Sequence, residues 1–179
     1  MHLKLTGDWA KSKRVLKAAP AELDAAIDAA LTAEGEYLRG RMVKKIQGGL
    51  QPPHSSSTLL TKKGGTKPLI RRGDLLGAFQ VVQAKKEVFI GVPRTAKGGA
   101  ANLMQIHEFG KVIVQRITDK QRRFLHAVLP KKEGAGTAVV VIHIPARPVI
   151  RPVFEAERAN IPKRLSRRIL KGLSFVRGT

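Results

Sequence analysis

Along the first third of the chain apolar residues recur three and four positions apart, so that Leu23, Ile27, Ala30, Leu31, Leu38, Met42 and Ile46 share one stripe. This spacing predicts a long amphipathic helix over residues 20–48. Pro20 presets the first turn, and Gly48 and Gly49 stop the helix. Its acids, Glu22, Asp24, Asp28, Glu34 and Glu36, precede its bases, Arg39, Arg41, Lys44 and Lys45, an order that complements the helix dipole. Such a stripe packs either into the chain's own core or against a neighbouring subunit. Residues 1–19 are read as an N-terminal extension.

Between residues 51 and 67 the periodicity disappears and Pro, Ser, Thr, Gly and Lys take over. A segment of that composition buries too little apolar surface to offset the entropy of ordering, so a mobile basic loop is expected, one that orders against a neighbour. Residues 68–148 read as an α+β core. Asp74 is placed to cap a helical turn over Leu75–Ala78. Two β-type runs, 79–83 and 87–92, flank the basic turn Ala84-Lys85-Lys86. After a second basic loop at 93–99, residues 100–109 read as a helix closed by Gly110, and 111–117 as a strand. Thr118 is a cap for a helix over 119–129, with Phe124, Leu125 and Val128 inward and Pro130 at its end. Past a turn at Gly134–Gly136, residues 137–144 form the most β-branched run and are expected to be a central strand. Residues 149–179 are expected to be a basic C-terminal helix that Pro162 kinks or splits, with Ile161, Leu165, Ile169 and Leu173 inside.

The fold class implied is α+β: a small, mostly antiparallel sheet packed against a long N-terminal helix and a C-terminal helix, with long basic loops. With 179 residues, 42% of them apolar, a single domain is expected, since two cores would be cramped.

Charge narrows the partners. Lys and Arg number 34 against 13 Asp and Glu, a net +21, and the isoelectric point lies near 11.2. Such an excess calls for a polyanion, nucleic acid first and an acidic protein surface second. The candidate contacts are Lys62, Lys63 and Lys67 in the loop and Lys163, Arg164, Arg167, Arg168 and Lys171 on the outer face of the last helix. Aromatics make up only 4% of the chain, which leaves little for base stacking, so contact to phosphates is expected to be nonspecific. The chain has no cysteine, hence neither disulfides nor thiolate metal sites. No apolar block of signal-peptide length and no run of about 18 apolar residues is present, and neither export nor membrane spanning is expected.

The sequence carries no complete catalytic constellation. Lys62 to Lys67 has the residue types of a phosphate-binding loop but lacks its Gly-Lys-Ser/Thr ending. His107-Glu108 has no second histidine one turn on. His54, His126 and His143 stand apart in sequence, and a metal site formed only in three dimensions stays open. Asp74, Glu87, Glu108, Asp119, Glu133, Glu155 and Glu157 form no tight pair of the kind that two-metal chemistry favours. The run Ser55–Ser57 has no elbow glycines. Arg72-Gly73-Asp74 is explained by the local turn. No catalytic residue, metal or cofactor is therefore assigned, and the expectation is a protein that is not an enzyme.

Three segments, in order, resemble signatures of tail-completion proteins of tailed bacteriophages: Thr66 to Phe79, containing Pro68-Leu69-Ile70 and Gly73-Asp74-Leu75; Met104 to Gly110, containing His107-Glu108-Phe109-Gly110; and Ile144 to Ile150, containing Pro145-Ala146-Arg147-Pro148. Ile117 to Leu125 is similar to a segment of the related virion-morphogenesis proteins of Mu-like phages. The resemblance spans roughly residues 50–157, and it departs from the pattern at Met104, at Val149, where Phe is usual, and at Arg72, where Thr is usual. It implies a small α+β subunit forming a ring, commonly of six, at the tail end or neck, assembled in the host cytoplasm and resident in the virion. The implied partners are further copies of the chain, tail-tube or terminator and head–tail connector proteins, and genomic double-stranded DNA in the lumen. Gly73, Asp74, His107, Glu108, Gly110, Pro145, Arg147 and Pro148 are the assembly-motif candidates. Arg147, held between prolines, is expected either to fork onto a carboxylate, such as Glu108 of the same chain or of a neighbour, or to be an exposed loop arginine. The competing class is a free nucleic-acid-binding protein of ribosomal or nucleoid type. A metal-dependent nuclease is a third, requiring divalent-ion-stimulated cleavage.

Overall fold

The computed structural model describes residues 9–55, 58–59, 67–70, 73–96, 99–128 and 139–173. The fold is α+β. In chain order the elements are α1 (Trp9–Gly48), α2 (Asp74–Ala78), β1 (Gln80–Ala84), β2 (Glu87–Gly91), α3 (Ala100–Phe109), β3 (Lys111–Arg116), α4 (Asp119–Val128), β4 (Val139–Ile144), α5 (Ile150–Glu157) and α6 (Ile161–Gly172). The strands form two separate antiparallel pairs, β1–β2 and β3–β4, rather than one sheet. Lys62, Lys63 and most of the 51–67 loop, together with Pro130, the Gly134–Gly136 turn and the side chains of Leu125 and Val128, lie outside the described residues. No described helix is long and apolar enough to cross a membrane.

Helix α1 starts at Trp9, well before the expected Pro20, which is internal to it. A proline removes its own N–H donation and strains the preceding turn, but the Ala, Lys, Arg and Leu residues on its N-terminal side are strong helix formers and continue the run. The early acids are consequently mid-helix, and no acid occupies the first turn, so the dipole role read for them does not hold; Lys45 does sit in the last turn. Buried positions on α1 recur every fourth residue, Ala26, Ala30, Glu34, Leu38, Met42 and Ile46. Leu23, expected on this stripe, is 41% exposed.

The described residues gather into two compact units. The first takes α1 up to Leu38, the hairpin Val81–Ile90 and the chain from Ala156. The hairpin lies against Gly35, where an added Cβ would come within 2.7 Å of Val81 Cγ1 and 3.0 Å of Val88 Cγ2, so only glycine admits the strands this closely. Its turn places Lys86 at φ 58°, and that residue is held by α1: its N–H donates to Asp28 Oδ1 at 3.0 Å and its ammonium meets Asp24 Oδ1 at 2.8 Å. Thr32 Oγ1 and Gln83 Oε1 close the same contact at 2.8 Å. The acids of α1 thus serve the hairpin.

The same unit buries two carboxylates, Glu34 and Glu157, at 3% and 7% exposure. Arg164 donates to Glu34 through Nε (3.0 Å to Oε1) and Nη2 (2.6 Å) and to Glu157 Oε2 through Nη1 (2.8 Å). Arg168 Nη1 adds a bond of 2.7 Å to Glu34 Oε2. Tyr37 donates its hydroxyl to Glu157 Oε1 at 3.3 Å, and its ring lies 4.4 Å from the Arg164 guanidinium carbon. Hydrogen bonding to Glu34 holds Arg164 above its already high ordinary pKa. Arg164 and Arg168 were expected outside with the rest of the basic face. They turn inward because buried carboxylates on α1 and α5 require cationic donors. Pro162 splits the C-terminal helix as expected, falling in the first turn of α6 after the break at 158–160.

The second unit comprises Arg39–Gln80 and Gly91–Glu155, with Met42, Ile46, Leu50, Leu75, Phe79, Met104, Val149 and Val153 in its core. Helix α2 packs on α3. Gly73, at φ 85°, occupies the N-cap of α2 in place of Asp74, which enters the first turn and makes no cap hydrogen bond; its charge still meets the positive helix end. Thr118 and Gln121 form a reciprocal capping box at α4, with bonds of 2.9 and 3.3 Å. Strand β4 pairs with β3 from Lys111↔Ile144 to Arg116↔Val139 and is not central: Val139, Val141 and Ile142 are 39–51% exposed. β-Branching reports fit to a pleated surface, not depth. Phe124, expected inward on α4, is 54% exposed, since periodicity defines a face but not what covers it.

The Glu34 cluster yields a prediction. Glu34→Ala leaves Arg164 and Arg168 without their shared partner and is expected to lower unfolding free energy by about 3–5 kcal/mol, read by urea denaturation. Lys163→Ala, at an exposed position on the same helix, is expected to change it by less than about 0.5 kcal/mol.

Candidate functional site

The second and third motif segments meet at the C-terminal end of α3. Gly110 ends this helix at φ 76°, and a Cβ there would lie 3.1 Å from both Ile144 O and Ala146 N, so the glycine lets the Pro145–Pro148 segment cross at backbone distance. The Arg147 amide donates to His107 O at 2.6 Å, satisfying one of the helix's terminal carbonyls.

Glu108, one residue further along α3, accepts from Val149 N at 2.8 Å, Ile150 N at 3.1 Å and Arg151 N at 2.8 Å. The next residue, Pro152, has no N–H, so every free amide before it at the start of α5 goes to this one carboxylate. A carboxylate here also gains from the positive end of the helix dipole.

Within the chain, Arg147 and Glu108 form no fork, and Arg147 is not an exposed loop arginine either. Its side chain is buried, donating from Nε to Pro52 O at 2.6 Å and from Nη2 to Pro53 O at 3.0 Å. Glu108 finds three converging amides, while the paired prolines offer carbonyls with no competing N–H, so each group takes the partner whose geometry is set by backbone. Burial lowers the Arg147 pKa without discharging a guanidinium. His107 is half-buried, its Nδ1 has no partner among the described residues, and burial, then the nearby Arg147 and His54 charges, push its pKa below the ordinary 6.5.

Pro145 and Pro148 hold the extended crossing segment. Gly73 and Asp74 stand apart from this knot: the Gly73 carbonyl accepts from Gly77 N at 2.9 Å within α2. Among the polyanion candidates, Lys67 donates to Gln47 O at 2.6 Å, Lys163, Arg167 and Lys171 are exposed on α6, and Arg164 and Arg168 belong to the internal cluster.

An open groove of about 1220 Å³ lies beside the knot, bordered by Pro52–Ser55, the end of α3 and parts of β3 and β4. His54, His107 and His143, distant in sequence, all border it. No group of three metal-ligating side chains forms among the described residues. The role of the Pro52-Pro53 carbonyls was missed in the sequence, where the only signal was the dipeptide itself. The knot's bonds run between side chain and backbone, and at Arg147 N from backbone to backbone, an arrangement that fixes the crossing of three segments.

Two outcomes are expected. Glu108→Ala leaves three helix-start amides unpaired and should lower stability by about 2 kcal/mol, with faster amide exchange at Val149–Arg151 as the local readout. Because the folded state resists protonating His107 while the unfolded state takes the proton near pH 6.5, unfolding free energy should fall as pH drops from 7 through 6.5 towards 5. The slope should be shallower in His107→Gln, read by denaturation at each pH.

Compared with protein-family profiles, curated proteins and solved structures, the chain matches none.

Proposed function

We propose that the chain is a structural virion protein of a tailed phage, a tail-completion or head–tail joining subunit that forms a ring around the DNA channel and acts by assembly rather than catalysis. The supporting observation is the meeting of His107, Glu108 and Gly110 with Pro145, Arg147 and Pro148, two segments that resemble that family's signatures and interlock through backbone bonds. Residues used this way shape a surface and need no substrate. A second support is the face of the β3–β4 pair carrying Val112, Val114, Val139 and Val141, which are 39–67% exposed, an apolar area of the kind that an assembly covers. In this reading the remaining surface cations face DNA in the lumen or acidic neighbouring rings.

The net charge of +21 favours the second reading, a free nucleic-acid-binding protein. Native mass spectrometry and a DNA titration in increasing salt separate the two. A discrete closed oligomer, commonly of six, with weak DNA affinity is the expected result. A monomer whose DNA affinity falls with a steep log–log salt slope overturns the ring and supports the second reading.

A further inference from the structure

The groove beside the knot has an unbalanced charge. Its cationic or protonatable members are His54, His107, Lys111, His143 and Arg147, and among the described residues none that lines it is acidic. The neighbouring carboxylate, Glu108, is committed to the amides of α5 and does not border it. Its remaining surface is apolar, including Phe109 and Val112, which are 67% and 57% exposed.

Size and chemistry limit the occupant. At about 1220 Å³ and open to solvent, the groove exceeds the roughly 300–1,000 Å³ of small-molecule pockets and suits a length of chain. A phosphate backbone is a poor match, because among the described lining residues only Lys111 and Arg147 are permanent cations and Arg147 already donates to two carbonyls. Apolar walls with scattered positive groups match a peptide that alternates carboxylates with apolar side chains. Ile142, His143 and Ile144 of β4 border the groove in succession, although successive side chains point to opposite faces, so strand backbone also faces the occupant. Among the described residues the sheet of β4 has two strands, so β4 has an edge that β3 does not pair.

We propose that this groove docks an extended acidic segment, interspersed with apolar residues, from a partner protein. The proposal does not rest on the ring reading.

The test uses the full chain and a fluorescein-labelled, capped decapeptide in which Glu alternates with Val and Pro, followed by anisotropy. The peptide is expected to bind, and its counterpart with Lys in place of Glu to bind at least about tenfold more weakly. Lys111→Glu and His143→Glu, both at exposed positions, should each weaken binding about tenfold, whereas Lys120→Glu, exposed in the first turn of α4 and away from the groove lining, should leave it unchanged. Circular dichroism establishes that the variants fold. Absence of binding, or binding that Lys111→Glu and His143→Glu do not weaken, overturns the proposal. So does a DNA duplex that binds as tightly through the same two residues. Variants that alter only the oligomeric state, with no peptide affinity to lose, assign the groove to a second copy and likewise reject an acidic partner segment. Ring formation by native mass spectrometry is a separate readout, so failure of one idea is distinguishable from failure of the other.

Discussion

A carboxylate drawn wholly or partly out of water must be met by donors, and in each of the two units one glutamate organises what surrounds it. In the first, Glu34 sits on the inner stripe of α1 at 3% exposure and draws Arg164 and Arg168 of α6 inward. In the second, Glu108 collects the three free amides that open α5. The solutions differ in kind. Glu34 is matched by charge, where desolvation of both partners offsets much of the attraction and the gain is a defined register between helices. Glu108 is matched by backbone dipoles that carry no desolvated counter-ion.

This constraint changes the meaning of the chain's positive excess. A count of +21 suggests a uniformly available basic surface, but cations differ in what they are free to do. Arg164 and Arg168 neutralise internal acids, Lys86 is held by Asp24, and Arg147 clasps the carbonyls of Pro52 and Pro53. The exposed residues Lys163 and Arg167 on α6 are better placed to meet an external anion. Beside the knot, the described lining residues include no acid, which leaves a modest positive character that several apolar side chains share.

Close backbone approach is the second recurring device. Gly35 admits the β1–β2 hairpin onto α1, Gly172 meets Ala26 with a would-be Cβ contact of 3.0 Å, and Gly110 admits the Pro145–Pro148 crossing. A Cβ would collide with the hairpin at Gly35 and press tightly on its neighbours at Gly110 and Gly172, so small residues set how near the elements come. What remains outside these contacts is apolar on the β3–β4 pair, where four valines share one exposed face.

Much of this was legible from residue order alone. Local chemistry decides a cap, a turn or a helix end, and so the α3 boundaries with Gly110, the Thr118 cap, the hairpin turn after Ala84 and the break before Pro162 all followed from neighbouring residues. The α+β class followed from the alternation of helical and strand periodicities. Partners remote in sequence were decided only by the tertiary structure. Nothing near Arg147 signals that its donors go to Pro52 and Pro53, or that Glu108 prefers amides to a guanidinium. The inward turn of Arg164 and Arg168 depends on Glu34, about 130 residues away, and the splitting of the strands into two pairs depends on packing that no local window contains. Sequence periodicity specifies which face of an element avoids water; which other element meets that face is settled by the competition among all buried donors, acceptors and apolar surfaces once the chain is closed upon itself.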